Sequence, residues 1–224
     1  MFDLEYYLAC DVLENALSND IRIPPVFRVL PGASTARVCE IDGFEVVIKS
    51  GMWNNTSVWG NEVAGYCLSR AMGLEAPETV ARSMGFGGSR KSLYSVQRWI
   101  PSGCHEPCLL EDYSESILRR LTLLDFVMAN ADRHERNVLW CDDKLLPIDH
   151  AYCFPDYDTD SLYSFTRSYL HRKYEGEMAL SDDQLALVSD LWYRLPDIVG
   201  NYVSVDAINS ALSRIRILMD VGQL

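Results

Sequence analysis

Asp132 is followed five residues later by Asn137, and Asp149 comes after the next predicted hairpin. That order has a chemical use. An aspartate can orient an attacking hydroxyl, while an asparagine five positions on and a later aspartate can hold a divalent cation against nucleotide phosphates. Such a phosphoryl-transfer site also needs a strand lysine to meet the phosphates and a glutamate on the following helix to aim it. "EVVIKS" supplies Lys49 and "GNEVAGY" supplies Glu62. Singly, each has an ordinary reading. Asp132 would cap a turn, Asn137 open a strand and Asp149 close one; Lys49 would be an edge or solvated residue, and Glu62 would complement a helix dipole. Their shared order favours the site.

The elements that must position these residues are written in the hydrophobic spacing. Leu4, Tyr7, Leu8, Val12, Leu13 and Leu17 recur near i, i+3, i+4 and predict an opening helix over 3–17. Residues 22–50 read as strands broken by Pro24-Pro25, Pro31-Gly32 and Asp42-Gly43, the last a hairpin turn. A helix over 57–74 places Val63, Tyr66, Cys67, Ala71 and Met72 on one face and stops near Gly73. "APETVARSM" and "SLYSVQRWIP" return to the same sheet around "GFGG", and Pro101-Ser102-Gly103 is the clearest boundary. Beyond it lie the longest amphipathic pattern, 113–131, and two short strands, "NVLWC" and "LLPID", around Asp142-Asp143. Helical segments follow at 161–173, 181–195 and 205–221, with Ser181 and Asp182 as caps. The layout is α+β, a β-rich first part and a mostly helical second.

Composition narrows the partners. The 224-residue chain is 48% hydrophobic and 23% charged, which predicts a globular protein. Lys and Arg number 20 against 32 Asp and Glu, a net charge of −12 that repels nucleic acid and anionic bilayers. No direct nucleic-acid partner is expected. No apolar run reaches the ~18 residues of a membrane span and the start has no basic segment, so a cytoplasmic protein without stable membrane insertion is expected. Seven cysteines without paired spacings fit reduced thiols. "CHEPC" aligns Cys104, His105 and Cys108 as possible zinc ligands, but one cluster interrupted by Pro107 reads better as a surface loop. "GFGGSRKS" is no phosphate-binding G-x-x-x-x-G-K-[ST] loop, because Arg90 precedes Lys91 and strands lie on both sides.

"NADRHERN" followed by "LLPIDHAYCF" resembles the catalytic and metal-binding segments of HipA-like protein kinases and of the phosphatidylinositol 3/4-kinase-like group. "NEVAGYCLSRAMGLEAPETV" with "SVQRWIP" resembles their helix-to-hinge region, and the likeness runs over roughly 28–155. The resemblance implies a two-lobed protein-kinase-like fold with ATP between the lobes. Residues 1–101 would form an N-lobe of antiparallel sheet with one helix, and 102–224 a mostly helical C-lobe. Asp132 would be the catalytic aspartate, Asn137 and Asp149 the Mg²⁺ ligands, and Lys49 the partner of Glu62. Gln97, Arg98, Trp99 and Ile100 would form the hinge whose backbone bonds adenine.

Some residues depart from the typical protein-kinase pattern. "PGASTARV" has one glycine, leaving the phosphate cover to Gly32, Ser34, Thr35 and backbone N–H groups. His150-Ala151 replace the Phe-Gly that usually follows the metal aspartate, which suits the HipA-like and lipid-kinase-like groups. His134 is expected to brace the catalytic loop, and Arg133 and Arg136 are read equally as phosphate contacts or solvated charges. The implied activity is ATP- and Mg²⁺-dependent transfer of the γ-phosphoryl to Ser/Thr hydroxyls of a protein substrate, itself included. A phosphoinositide or other small-molecule acceptor, AMP transfer and a nucleotide-binding pseudokinase are the alternatives. An antitoxin-like or regulatory protein is a further possible partner.

Overall fold

The computed structural model describes residues 11–18, 20–22, 24–30, 36–53, 56–85, 90–101, 113–130, 132–141, 144–155 and 179–223. The short helix α1 (Val12–Ala16) precedes strands β1 (Asp20–Arg22), β2 (Val26–Val29), β3 (Arg37–Ile41) and β4 (Phe44–Lys49). Two-residue strands β5 (Met52–Trp53) and β6 (Thr56–Ser57) lead into helix α2 (Val58–Ala71), after which come β7 (Thr79–Gly85) and β8 (Ser92–Arg98). Six of these strands form one sheet in the order β1-β7-β8-β4-β3-β2. β1 runs parallel to β7, and every other pairing in the sheet is antiparallel.

The β3–β4 hairpin closes between Ile41 and Phe44. Asp42 (φ 50°) and Gly43 (φ 84°) both take the left-handed conformation that a two-residue turn requires and that Asp-Gly tolerates. Strand alternation then divides the sheet. Val38 and Val47 face the cleft, whereas Cys39, Ile41, Val46, Ile48, Val80, Met84 and Val96 line the far side under Leu13 and Leu17. The described part of the opening helix therefore neither blocks nor completes the cleft; it covers the back of the sheet. Its first amides are held by the buried Glu78 carboxylate, which accepts from Leu13 N at 2.8 Å and Glu14 N at 3.1 Å. Buried Arg82 adds bonds to the Glu14 carboxylate and to the carbonyls of Leu13 and Glu14.

Helix α3 (Glu115–Met128) ends where Ala129 turns left-handed. Hairpin β9 (Val138–Cys141) and β10 (Lys144–Pro147) follows it. Helix α4 (Asp182–Val199) begins at a reciprocal Ser181–Gln184 capping box, and α5 (Val205–Val221) at Ser204, whose hydroxyl accepts from Ala207 N. Leu118, Leu121, Leu124, Val188, Leu191, Ala211 and Ile215 knit α3, α4 and α5 into one core that reaches Ala64 and Leu68 of α2. The expected helix over 161–173, the "CHEPC" segment and residues 86–88 of the "GFGG" turn lie outside the described residues, although the β7–β8 register fits the expected hairpin. The expectation of reduced thiols is met at Cys39, Cys67 and Cys153 and corrected at Cys141, which is disulfide-bonded. Among the described residues, no helix is long and apolar enough to cross a membrane.

Candidate active site

Lys49 ends β4 in the middle of the sheet, and its Nζ donates to Glu62 Oε1 at 2.6 Å and to Asp149 Oδ1 at 3.0 Å. Three residues far apart in sequence therefore meet at one ammonium. Glu62 arrives there because α2 starts directly after β6 and packs against β7 and β8. Burial opposes the charge of Lys49, but the carboxylates of Glu62 and Asp149 more than offset it and keep the ammonium protonated. Burial opposes ionisation of Asp149 as well; Lys49 outweighs it and holds that carboxyl below its ordinary range. Burial pushes the Glu62 carboxyl upward, and Lys49 pulls against that.

Asp149 lies two residues past the end of β10, in coil and not within a strand, with φ 57°. Aspartate is among the few non-glycine residues that enter this region, at a cost of about 1 kcal/mol. Asp132 sits in the turn after α3, where Asn130 Oδ1 accepts its amide at 3.0 Å. Asn137 Nδ2 donates to the carbonyl of Asp132 at 2.8 Å, which leaves the amide oxygen for another partner. The Asp132 carboxylate is 46% exposed and opens to the cleft.

That cleft has a volume of about 330 Å³. Its lining combines apolar side chains, Leu30, Ala36, Val47, Ile100, Leu139 and Ile148, with the polar Lys49, Asp132, Asn137 and Asp149. A flat heterocycle joined to phosphates needs both kinds of surface. Carboxylate and amide oxygens are the donors Mg²⁺ prefers, so Asn137 and Asp149 suit that ion. Among the described residues no cluster of three His, Cys, Asp or Glu could hold a metal by itself. Gln97, Arg98, Trp99 and Ile100 also line the cleft, but Arg98 N already donates to Glu78 O and Trp99 N to Glu45 O. Two backbone N–H groups of the expected hinge are thus engaged within the chain. Gly32, Ser34 and Thr35 lie outside the described residues.

Arg133 is neither a phosphate contact nor a solvated charge. It is buried, with its guanidinium on Asp125, on the carbonyls of Asn137 and Ile148, and 3.4 Å from His150 Nδ1. One side chain thus ties the end of α3, the 132–137 turn and the Asp149 segment together. Arg136 is exposed and lines the cleft. His134 braces the turn as expected, its Nδ1 accepting from Arg136 N at 3.1 Å, while its Nε2 stands 4.0 Å from Asp132 Oδ2. Buried His150 packs beside this network. Burial first, then the charges of Arg133 and Lys49, hold its imidazole well below the usual histidine range, so the ring is neutral.

A solved structure of a Helicobacter pylori proinflammatory kinase, CtkA, aligns over 91% of this chain and 95% of that one, with a TM-score of 0.51 and 13% identity. The fold is kinase-like. A HipA toxin–antitoxin complex from Shewanella oneidensis gives a TM-score of 0.44 at 12% identity, over 87% of this chain and 68% of that one. In sequence, phosphatidylinositol 4-kinase gamma 4 from Oryza sativa is 30% identical over 95 residues, 40% of this chain. The Arabidopsis thaliana protein of the same name is 38% identical over 53 residues, 21% of this chain. The matched regions span 17% and 9% of those two proteins. No family model matches the chain.

Sequence reasoning missed Asp125, Asn130, Asn61 and Gly65. Asp125 left one trace, a lone carboxylate inside the apolar run "LLDFVMAN". Buried acids are rarely left unpaired, so that position called for a cation nearby in space.

Proposed function

We propose that the chain is an ATP- and Mg²⁺-dependent kinase that transfers the γ-phosphoryl to Ser/Thr hydroxyls of protein, its own included. The meeting of Lys49, Glu62 and Asp149 beside Asp132 and Asn137 in one cleft carries this reading. On it, residues 1–101 cover the nucleotide and 102–224 hold the acceptor side. The apolar end of the cleft takes adenine, and Lys49 meets the phosphates. Asn137 and Asp149 hold Mg²⁺, which when bound neutralises charge on the phosphates. Asp132 orients the acceptor hydroxyl and takes its proton as the new O–P bond forms and the bond from Pγ to ADP breaks. Residues 132–137 owe their density of polar groups to this task of holding acceptor and metal on a rigid turn. A cytoplasmic location accords with the need for ATP.

The deciding experiment incubates purified protein with Mg²⁺ and ATP beside Asp132→Ala and records intact masses. A gain of one phosphate that the variant loses supports the reading. An AMP-sized gain replaces it with nucleotidyl transfer, and no gain with any protein acceptor removes it. The likeness to phosphatidylinositol 4-kinase gamma 4 favours a second reading, a phosphoinositide acceptor at the same cleft. Labelling of phosphatidylinositol vesicles in place of protein would select it.

A further inference from the structure

Glycines recur in α2 at Gly60 and Gly65, and each faces something that leaves no room for a side chain. A Cβ at Gly65 would overlap His150 Cγ and stand 2.6 Å from both His150 Cβ and Cδ2. A Cβ at Gly60 would overlap the carbonyl oxygen of Tyr202, in the turn between α4 and α5, and the hydroxyl of Ser57. The helix is therefore in backbone-close contact with the Asp149 segment at one position and with the α4–α5 turn at another. Asn61, one turn before Gly65, adds a directional tie: its Nδ2 donates to Ala151 O at 2.9 Å and to Thr56 Oγ1 at 3.0 Å. His150 is in turn gripped from behind by Arg133, so the contact runs from α2 through His150 to the catalytic turn.

We infer that Gly65 is a positioning residue. By letting His150 seat against the helix backbone, it fixes α2 at the depth where Glu62 reaches Lys49 and Lys49 reaches Asp149. Glu62 sits three residues before Gly65 on the same side of the helix, so a shift that cleared a Cβ from the imidazole would draw the carboxylate away from Nζ. The Lys49–Glu62 pair is then built into the packing, not switched by a swing of α2. This inference rests on the proposed phosphoryl-transfer reading for its consequence in rate, but the contact itself can be tested without turnover.

The test compares Gly65→Ala, His150→Gly and the double variant in the full chain. His150→Gly is chosen because an alanine there would keep the Cβ that lies 2.6 Å from the new methyl. Two quantities are read: turnover with Mg²⁺ and ATP, and the rate at which a small amine-reactive ester acylates Lys49, located by peptide mass. Gly65→Ala is expected to cut turnover about 10²-fold, the scale of an ångström-level misplacement, and to speed Lys49 acylation several-fold. The double variant is expected to return both quantities to those of His150→Gly alone. Wild-type values in Gly65→Ala, or a double variant whose losses add, overturn the inference. If Gly65→Ala alone yields no folded protein, folding restored in the double variant supports the contact and folding still absent overturns it. A wild type without any phosphoryl transfer, in which Lys49 acylation still shows the Gly65–His150 coupling, would remove the proposed function and leave the positioning role standing.

Discussion

At Asp132 and Arg133, adjacent residues carry opposite kinds of work. The Asp132 carboxylate is half exposed and its amide is what holds it in place, so Asp132→Ala should lower turnover by about 10²–10⁴-fold with little change in thermal midpoint. Equal loss of both in paired rate and melting measurements would mean that the residue is structural. Arg133→Met should do the reverse at the level of stability. It strands the buried Asp125 carboxylate, at a cost of about 3–5 kcal/mol by denaturant unfolding, and Asp125→Leu added to it should recover much of that. The contrast explains what the sequence disclosed. Lys49, Glu62, Asp132, Asn137 and Asp149 were legible because each sits at a set place relative to a strand or helix end. Arg133 was not, because a charged residue in a polar turn looks solvated until the partner eight residues back is seen on the buried face of α3.

Elements show the same division between pattern and placement. Strands β2, β3, β4, β7 and β8 and helices α2 and α4 were readable from period and punctuation, since Asp42-Gly43, Gly73 and Ser181 act within a few residues of themselves, whereas β1 and its parallel pairing with β7 were not. Which surface the opening helix covers was not readable, because an amphipathic pattern states that one face is buried and not against what. Glu78 and Arg82, the groups that decide it, lie more than sixty residues away. The burial of Leu13 against the back of the sheet makes Leu13→Ala cost about 2–5 kcal/mol. A second readout localises the effect. Cys39 lies in the same cluster and burial pushes its thiol up to about 11, so it should resist alkylation at pH 8 in the wild type and react faster in Leu13→Ala. Unchanged Cys39 reactivity, followed by peptide mass, would mean that α1 does not seal the far face.

For the molecule as a whole, the proposed function places nucleotide between the residues of the sheet and those of the helical part that line one cleft, and on that reading nucleotide is a stabiliser. A ligand at a hundred times its dissociation constant adds about 2.7 kcal/mol, which for a chain of this length is a rise of roughly 5–10 °C in thermal midpoint. The metal-dependent part of that rise should vanish with chelator and in Asp149→Asn, whereas a pseudokinase that binds nucleotide through adenine alone would keep its full shift. The pH dependence has a definite sign. Lys49 holds the Asp149 carboxyl below its ordinary range, so the charged form that favours Mg²⁺ is present throughout neutral and mildly acidic pH and is lost only as pH falls through the lowered folded value, beneath the ~4 of a free aspartate. The contribution of Asp149 to the metal-dependent shift should accordingly stay level from pH 8 to pH 5. A shift that fades between pH 7 and pH 6 by more than protonation of the nucleotide's own terminal phosphate accounts for would mean that a group other than Asp149 governs metal binding.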